Sequence, residues 1–141
     1  MTEFNLNDKI HVVDTLFSGE GIATRVLLSE KAQAGFEKLR KKKREEYRRF
    51  LGVLQRYAKA GFQHFESKKG PIKHEGKDIY RVAHRDTLFR LIGFFENDRR
   101  ESFIGIDTFT KLDTQLTGGQ KDRIKAVARV KKFGLWRLRG A

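Results

Sequence analysis

The residues of this chain best able to do chemistry are cations and imidazoles, and several of them fall in its middle third. Strand-like alternation puts Arg90 on the same face as Leu88, Ile92 and Phe94. A guanidinium among apolar neighbours is costly to bury unless it is paired or opens on a cleft. Two readings follow: an ion pair with a carboxylate such as Asp107, or a phosphate-binding arginine on a concave sheet face. Arg81, between Tyr80 and Val82, is open to a similar choice between simple solvation on a polar face and phosphate support. His84 and His74 suit general acid–base work, since an unperturbed imidazole changes charge near neutrality, although an isolated histidine is more often structural or merely exposed. Lys111 follows the last strand-like segment and is either an ordinary surface lysine or a cation at the sheet's edge.

A second basic group is the run Lys38, Arg40, Lys41, Lys42, Lys43, Arg44, Arg48 and Arg49, offset in part by Glu37, Glu45 and Glu46. Such a patch suits backbone phosphates without reading sequence; it also suits a solvated helix junction. Lys121 and Lys125 add a third group near the C-terminus. Other chemistries are poorly supported. Gly118-Gly119-Gln-Lys121 lacks the spacing of a phosphate-cradling loop, and Gly19-Glu-Gly21 is no better. Neither a nucleophile–His–Asp arrangement nor a carboxylate pair stands out.

The elements holding these residues must come from a single small domain. The 141 residues suffice for one core. With 31 Lys and Arg against 18 Asp and Glu, the net charge of +13 points to an anionic partner, nucleic acid before others. No cysteine is present, so disulfides and thiolate metal sites are excluded. The four histidines lack tight metal-ligand spacing; no metal and no cofactor is expected. No stretch approaches the roughly 20 apolar residues of a membrane span. The N-terminus has acidic residues where a signal peptide has basic ones, so a cytoplasmic address is expected.

Residues 1–22 stand apart by charge and read as an N-terminal extension, with a possible short strand at Lys9 to Val13; residues 23–141 read as the domain. Thr24 to Leu28 alternates as a strand, and Ser29 is placed to cap a helix. Ala32, Phe36 and Leu39 form one apolar helical stripe, and Tyr47, Phe50, Leu51, Leu54, Tyr57 and Ala58 form another that Gly61 closes. The polar stretch between the stripes predicts a helical hairpin in preference to one long bent helix. Residues 77–84, 88–96 and 102–109 then read as an antiparallel meander with the middle strand central. A basic helix follows Thr117-Gly-Gly119, with Ile124, Val127 and Val130 inward, and the tail docks by its aromatics, leaving Arg137 and Arg139 free. The expected fold class is α+β: an antiparallel twisted sheet of about four strands with an N-terminal helical hairpin and a C-terminal basic helix.

This order of elements resembles the RelE/ParE toxin superfamily, particularly its phage-derived HigB-like branch. The resemblance covers roughly Ala23 to Lys132. It is carried by Val26-Leu-Leu-Ser-Glu-Lys-Ala-Gln-Ala-Gly-Phe-Glu-Lys-Leu39 at the front. In the middle it is carried by Lys77-Asp-Ile-Tyr-Arg-Val82 and Leu88-Phe-Arg-Leu-Ile-Gly-Phe-Phe95, and at the end by Ile106-Asp-Thr-Phe-Thr-Lys111. It implies a toxin of a type II toxin–antitoxin system that cuts mRNA in the ribosomal decoding site. The partners would be mRNA, the ribosome and a cognate antitoxin of helix-turn-helix type. By position, Arg90 would hold the scissile phosphate, Arg81 would support it, Lys111 would be the terminal cation, and His84 or His74 would move protons. The chain departs from the family at Thr110-Lys111, where two adjacent basic residues are usual, and at Arg81, where a glutamate is common. These departures leave two alternatives open: a toxin-like protein acting on DNA gyrase, or a basic nucleic-acid-binding protein.

Overall fold

The computed structural model describes residues 9–68, 70–111 and 117–140. The chain runs β1 (His11–Phe17), β2 (Arg25–Ser29), α1 (Glu30–Lys42), α2 (Arg44–Ala60), a 3-10 turn (Phe62–Phe65), β3 (Ile72–His74), β4 (Tyr80–Ala83), β5 (Phe89–Phe95), β6 (Ser102–Thr110), α3 (Gly118–Phe133) and β7 (Trp136–Leu138). The strands form one seven-stranded sheet in the order β3-β4-β5-β6-β2-β1-β7.

The expected four-stranded antiparallel sheet is therefore incorrect. The sheet is mixed: β2 runs parallel to β6, and β1 parallel to β7, while the remaining pairs are antiparallel. The helical pair also does not open the fold, because two strands precede it. The reason lies in β2. Val26 to Ser29 are all buried, as in a strand covered on both faces, and hydrogen-bonded neighbours occupy both of its sides. One is β6, reached after the helices and the meander. The other is β1, drawn from the segment that charge alone set apart as an extension; its first eight residues lie outside the described ones. No helix among the described residues is long and apolar enough to cross a membrane.

Helices cover both faces. Val26, Leu28, Phe36, Phe50, Leu54, Leu91 and Phe103 pack together on the α1/α2 side. Phe50 is the hub of that layer, its ring edge-on to Phe36 at 5.8 Å and to Phe89 at 4.9 Å. Leu27, Ile92, Phe94, Ile104, Ile106, Ile124, Val127 and Val130 form the α3 side. Ser29 joins the first helix to the sheet: its Oγ accepts from Ala32 N–H at 3.0 Å and donates to the Ile106 carbonyl at 2.6 Å. Between α1 and α2 the helix breaks at Lys43 (φ −142°, ψ 70°), within the polar stretch that interrupts the apolar stripe. At the other end, Gly134 takes the left-handed conformation that ends α3, and the tail returns as β7. There Arg139 binds Asp14 and Glu30, each at 2.7 Å, so it is not the free cation expected.

One irregularity in β6 bears on function. Ile92 of β5 lies opposite Asp107, but the next residue, Gly93, lies opposite Gly105, so Ile106 is an extra residue. This is a β-bulge, which shifts the alternation of the strand by one. Ile104 and Ile106 face α3, and Phe109 faces it too, three residues on. The bulge thereby re-aims the end of β6, and with it the side on which Lys111 emerges.

Candidate functional site

Four cations converge where β3, β4, β5 and the end of β6 meet. Lys73 pairs across the sheet with Arg81, and Arg81 with Ile92; one step along, Ala83 pairs with Arg90, and Arg90 with Phe109. Directly opposed residues share a face, so Lys73, Arg81 and Arg90 stand on the side of the sheet to which the bulge turns Lys111. The Lys111 amide donates to the Leu88 carbonyl at 2.7 Å, which fixes the end of β6 beside the start of β5.

Together they line a cavity of about 680 Å³ with His84 and five other polar or apolar residues of the sheet edge, including Ala83 and Pro71. The cavity extends round the sheet edge to α2, where Val53, Arg56 and Tyr57 close it beside Phe65; the Tyr57 hydroxyl donates to the Ala83 carbonyl at 3.2 Å. Lys68 and Arg85 add further positive charge, and among the described residues no carboxylate lines the wall.

The electrostatics follow from this crowding. Burial lowers the Arg90 pKa, and the neighbouring Arg81 lowers it further. Lys111 is likewise lowered, first by burial and then by Arg81, Arg90 and Lys73, with Glu75 opposing. Arg90 is not paired with Asp107. Its Nη1 donates to the Thr87 and Phe89 carbonyls at 2.7 and 2.8 Å, while Asp107 binds Arg123 at 3.2 Å and Lys31 at 3.4 Å. The carbonyls hold the guanidinium in place and leave its charge uncompensated.

Arg81 is buried (6% exposed) rather than solvated. Its Nε lies 3.2 Å from Glu75 Oε1. Glu75 Oε1, Arg81 Nη1 and His84 Nδ1 are all buried without a hydrogen-bond partner among the described residues, and such groups are costly unless a ligand or solvent meets them. His84 Nε2 lies 3.7 Å from Asp86. Sequence reasoning missed Lys73 and Glu75, whose only signal would have been the pairing of β3 with β4.

The other expected site residues lie elsewhere. His74 faces away from the cavity: its ring lies 5.1 Å from Tyr80 and its Nε2 accepts the Asp78 N–H at 3.2 Å. Lys38, Lys42 and Lys43 line a second cavity between α1 and the start of α3. Lys41, Arg44, Arg48 and Arg49 are exposed around the α1–α2 junction, with Arg48 3.5 Å from Glu45. Lys121 and Lys125 are exposed along α3.

What the first cavity can do chemically is hold an oxyanion. Two fixed guanidiniums and two ammoniums with one compensating carboxylate form a preorganised positive site, and an imidazole adjoins it. No family model matches the chain, and no curated protein or solved structure matches it significantly.

Proposed function

We propose that this chain is a metal-independent endoribonuclease that cuts mRNA on the ribosome, the toxin of a type II toxin–antitoxin pair. The observation that carries this reading is that Arg81, Arg90, Lys111 and His84, singled out by position along the sequence, line one cavity whose wall bears no carboxylate among the described residues. The ribose 2′-oxygen attacks the adjacent phosphorus and the bond to the 5′-oxygen breaks. This gives a 2′,3′-cyclic phosphate and a 5′-hydroxyl. The 2′-proton passes to a base, and a proton reaches the leaving oxygen. His84 is the group suited to one of these transfers. Arg90 and Arg81 hold the non-bridging oxygens, and Lys111 adds charge where the phosphorane accumulates it. The site is cytoplasmic in this reading, and a helix-turn-helix antitoxin is its natural protein partner.

A second reading, a toxin-like protein that acts on DNA gyrase or only binds nucleic acid, draws on the Arg81–Glu75 contact, which already offsets one cation. Controlled expression in bacteria with mapping of mRNA 5′ ends separates the two. Growth arrest with ribosome-dependent cleavage, both abolished by Arg90→Ala, supports the nuclease. Arrest with intact mRNA refutes it and favours the gyrase-type target; no arrest and no cleavage leaves the binding protein.

A further inference from the structure

The second cavity, of about 720 Å³, is lined in part by residues next in sequence to those of the first. Leu88, Phe89 and Thr110 line it, while Arg90 and Lys111, the next residues along the two strands, line the first. Leu88, in the wall of the second cavity and two residues before Arg90, is 41% exposed where most large apolar side chains of the described residues are buried.

The charge of this second groove comes from three elements. Lys31 and Arg123 approach from α1 and α3, but both are engaged by Asp107. Lys43 lies 3.6 Å from Glu46. Lys38 and Lys42, one helical turn apart on α1, line the groove with no ion pair among the described residues. Elsewhere in the run Arg40 is tied to Glu37 and Arg48 to Glu45, while Lys41, Arg44 and Arg49 have no ion pair among the described residues but do not line the groove. The basic run is thus not a uniform patch. Of its cations without an ion pair among the described residues, Lys38 and Lys42 face this groove.

We infer that Lys38 and Lys42 form a second phosphate subsite, so that single-stranded RNA lies across the end of the sheet. One phosphate sits in the Arg81/Arg90/Lys111 cavity, the strand crosses the Leu88 ridge, and phosphates further along reach the α1 lysines. This inference rests on the proposed RNA-binding role of the first cavity and extends it: the ligand is a strand of several nucleotides.

The test compares a 5′-phosphorylated 2′-O-methyl trinucleotide with a nonanucleotide of the same kind; the methyl group blocks the attacking oxygen, so binding is read without cleavage. Affinities are measured at 50 and 200 mM salt for wild type, for Lys38→Ala/Lys42→Ala, for Arg90→Ala and for a control, Lys9→Ala/Arg137→Ala, that removes equal charge elsewhere. Taking five neutralised phosphates for the long ligand and about 0.7 of a slope unit for each, wild type loses about 130-fold in nonanucleotide affinity over that range. The lysine pair variant loses about 18-fold, and its trinucleotide affinity stays at the wild-type value. A nonanucleotide response equal to that of the control overturns the second subsite and leaves the first cavity standing if Arg90→Ala still weakens the trinucleotide. Equal weakening of both ligands by the lysine pair also overturns it, as diffuse charge. Sensitivity to the lysine pair alone, with Arg90→Ala silent, keeps the groove as a phosphate site and removes the nuclease reading on which its extension depends.

Discussion

Replacing Arg90 by alanine should change how RNA binding responds to salt. Four cations are electrostatically coupled in the first cavity, Lys73, Arg81, Arg90 and Lys111, with Glu75 opposing them; this coupled set, apart from Arg56, Lys68 and Arg85 elsewhere in the lining, offers the three phosphates of a trinucleotide a net excess of about three charges. Each phosphate neutralised on a single strand contributes about −0.7 to the slope of log affinity against log salt, giving about −2.1 for wild type, or an 18-fold loss, roughly, between 50 and 200 mM. Without Arg90 the slope falls to about −1.4 and the loss to about sevenfold. The assay is fluorescence anisotropy of a labelled 5′-phosphorylated 2′-O-methyl trinucleotide across a salt series, with unfolding curves run in parallel. Arg90 makes its hydrogen bonds to carbonyls of its own strand and turn, so its loss should not unfold the chain. A folded variant with an unchanged slope would refute the argument, since it would mean that Arg90 meets no phosphate.

Three predictions concern stability. Lys111 has its pKa lowered in the fold by burial and by Arg81, Arg90 and Lys73. Above the folded-state value and below the unfolded one, the unfolded chain binds more protons, so stability should rise with pH across that alkaline window. Lys111→Met should remove the rise and stabilise the chain near neutrality by about 0.5 kcal/mol at most, because solvent screens a side chain only partly buried, while weakening RNA binding; urea titrations at pH 7.5 and 10 read both effects on stability. Gly93→Ala should be destabilising by about 1–3 kcal/mol, because a β-carbon there meets the Ile104 carbonyl at the bulge. It should also weaken RNA binding by disturbing the register that aims Lys111. Gly52→Ala, on an open stretch of α2, should instead stabilise by about 0.5–1 kcal/mol, and thermal melts distinguish the two.

Much of the local structure was legible because it depends on neighbours in the chain. Ser29 begins a helix since its hydroxyl reaches an amide three residues on; at α3 the glycine pair reads as a lead-in, whereas the helix starts at Gly118, capped by Thr117 with Gln120 answering in a capping box. Ile124, Val127 and Val130 fall inward because helical spacing puts them on one stripe. The positive charge is a property of composition alone, and the expectation of an anionic partner rests on it.

Tertiary structure decided what local pattern does not encode. Period-two alternation marks a strand and its two faces but not its neighbours, so the pairing of β2 with both β6 and β1 could not be read, nor the opposition of Lys73 to Arg81. The bulge at Ile106 has no local signature either. It arises from register against β5, yet it decides which way Lys111 turns. Asp107 offered itself in sequence as a partner for Arg90, and packing gave it to Arg123 and Lys31 instead. The sequence determined that cations of the right kind were present. Strand order and register decided that Arg81, Arg90 and Lys111 share one cavity and that His74 does not, because only non-local pairing brings residues so far apart in the chain to the same edge of a sheet.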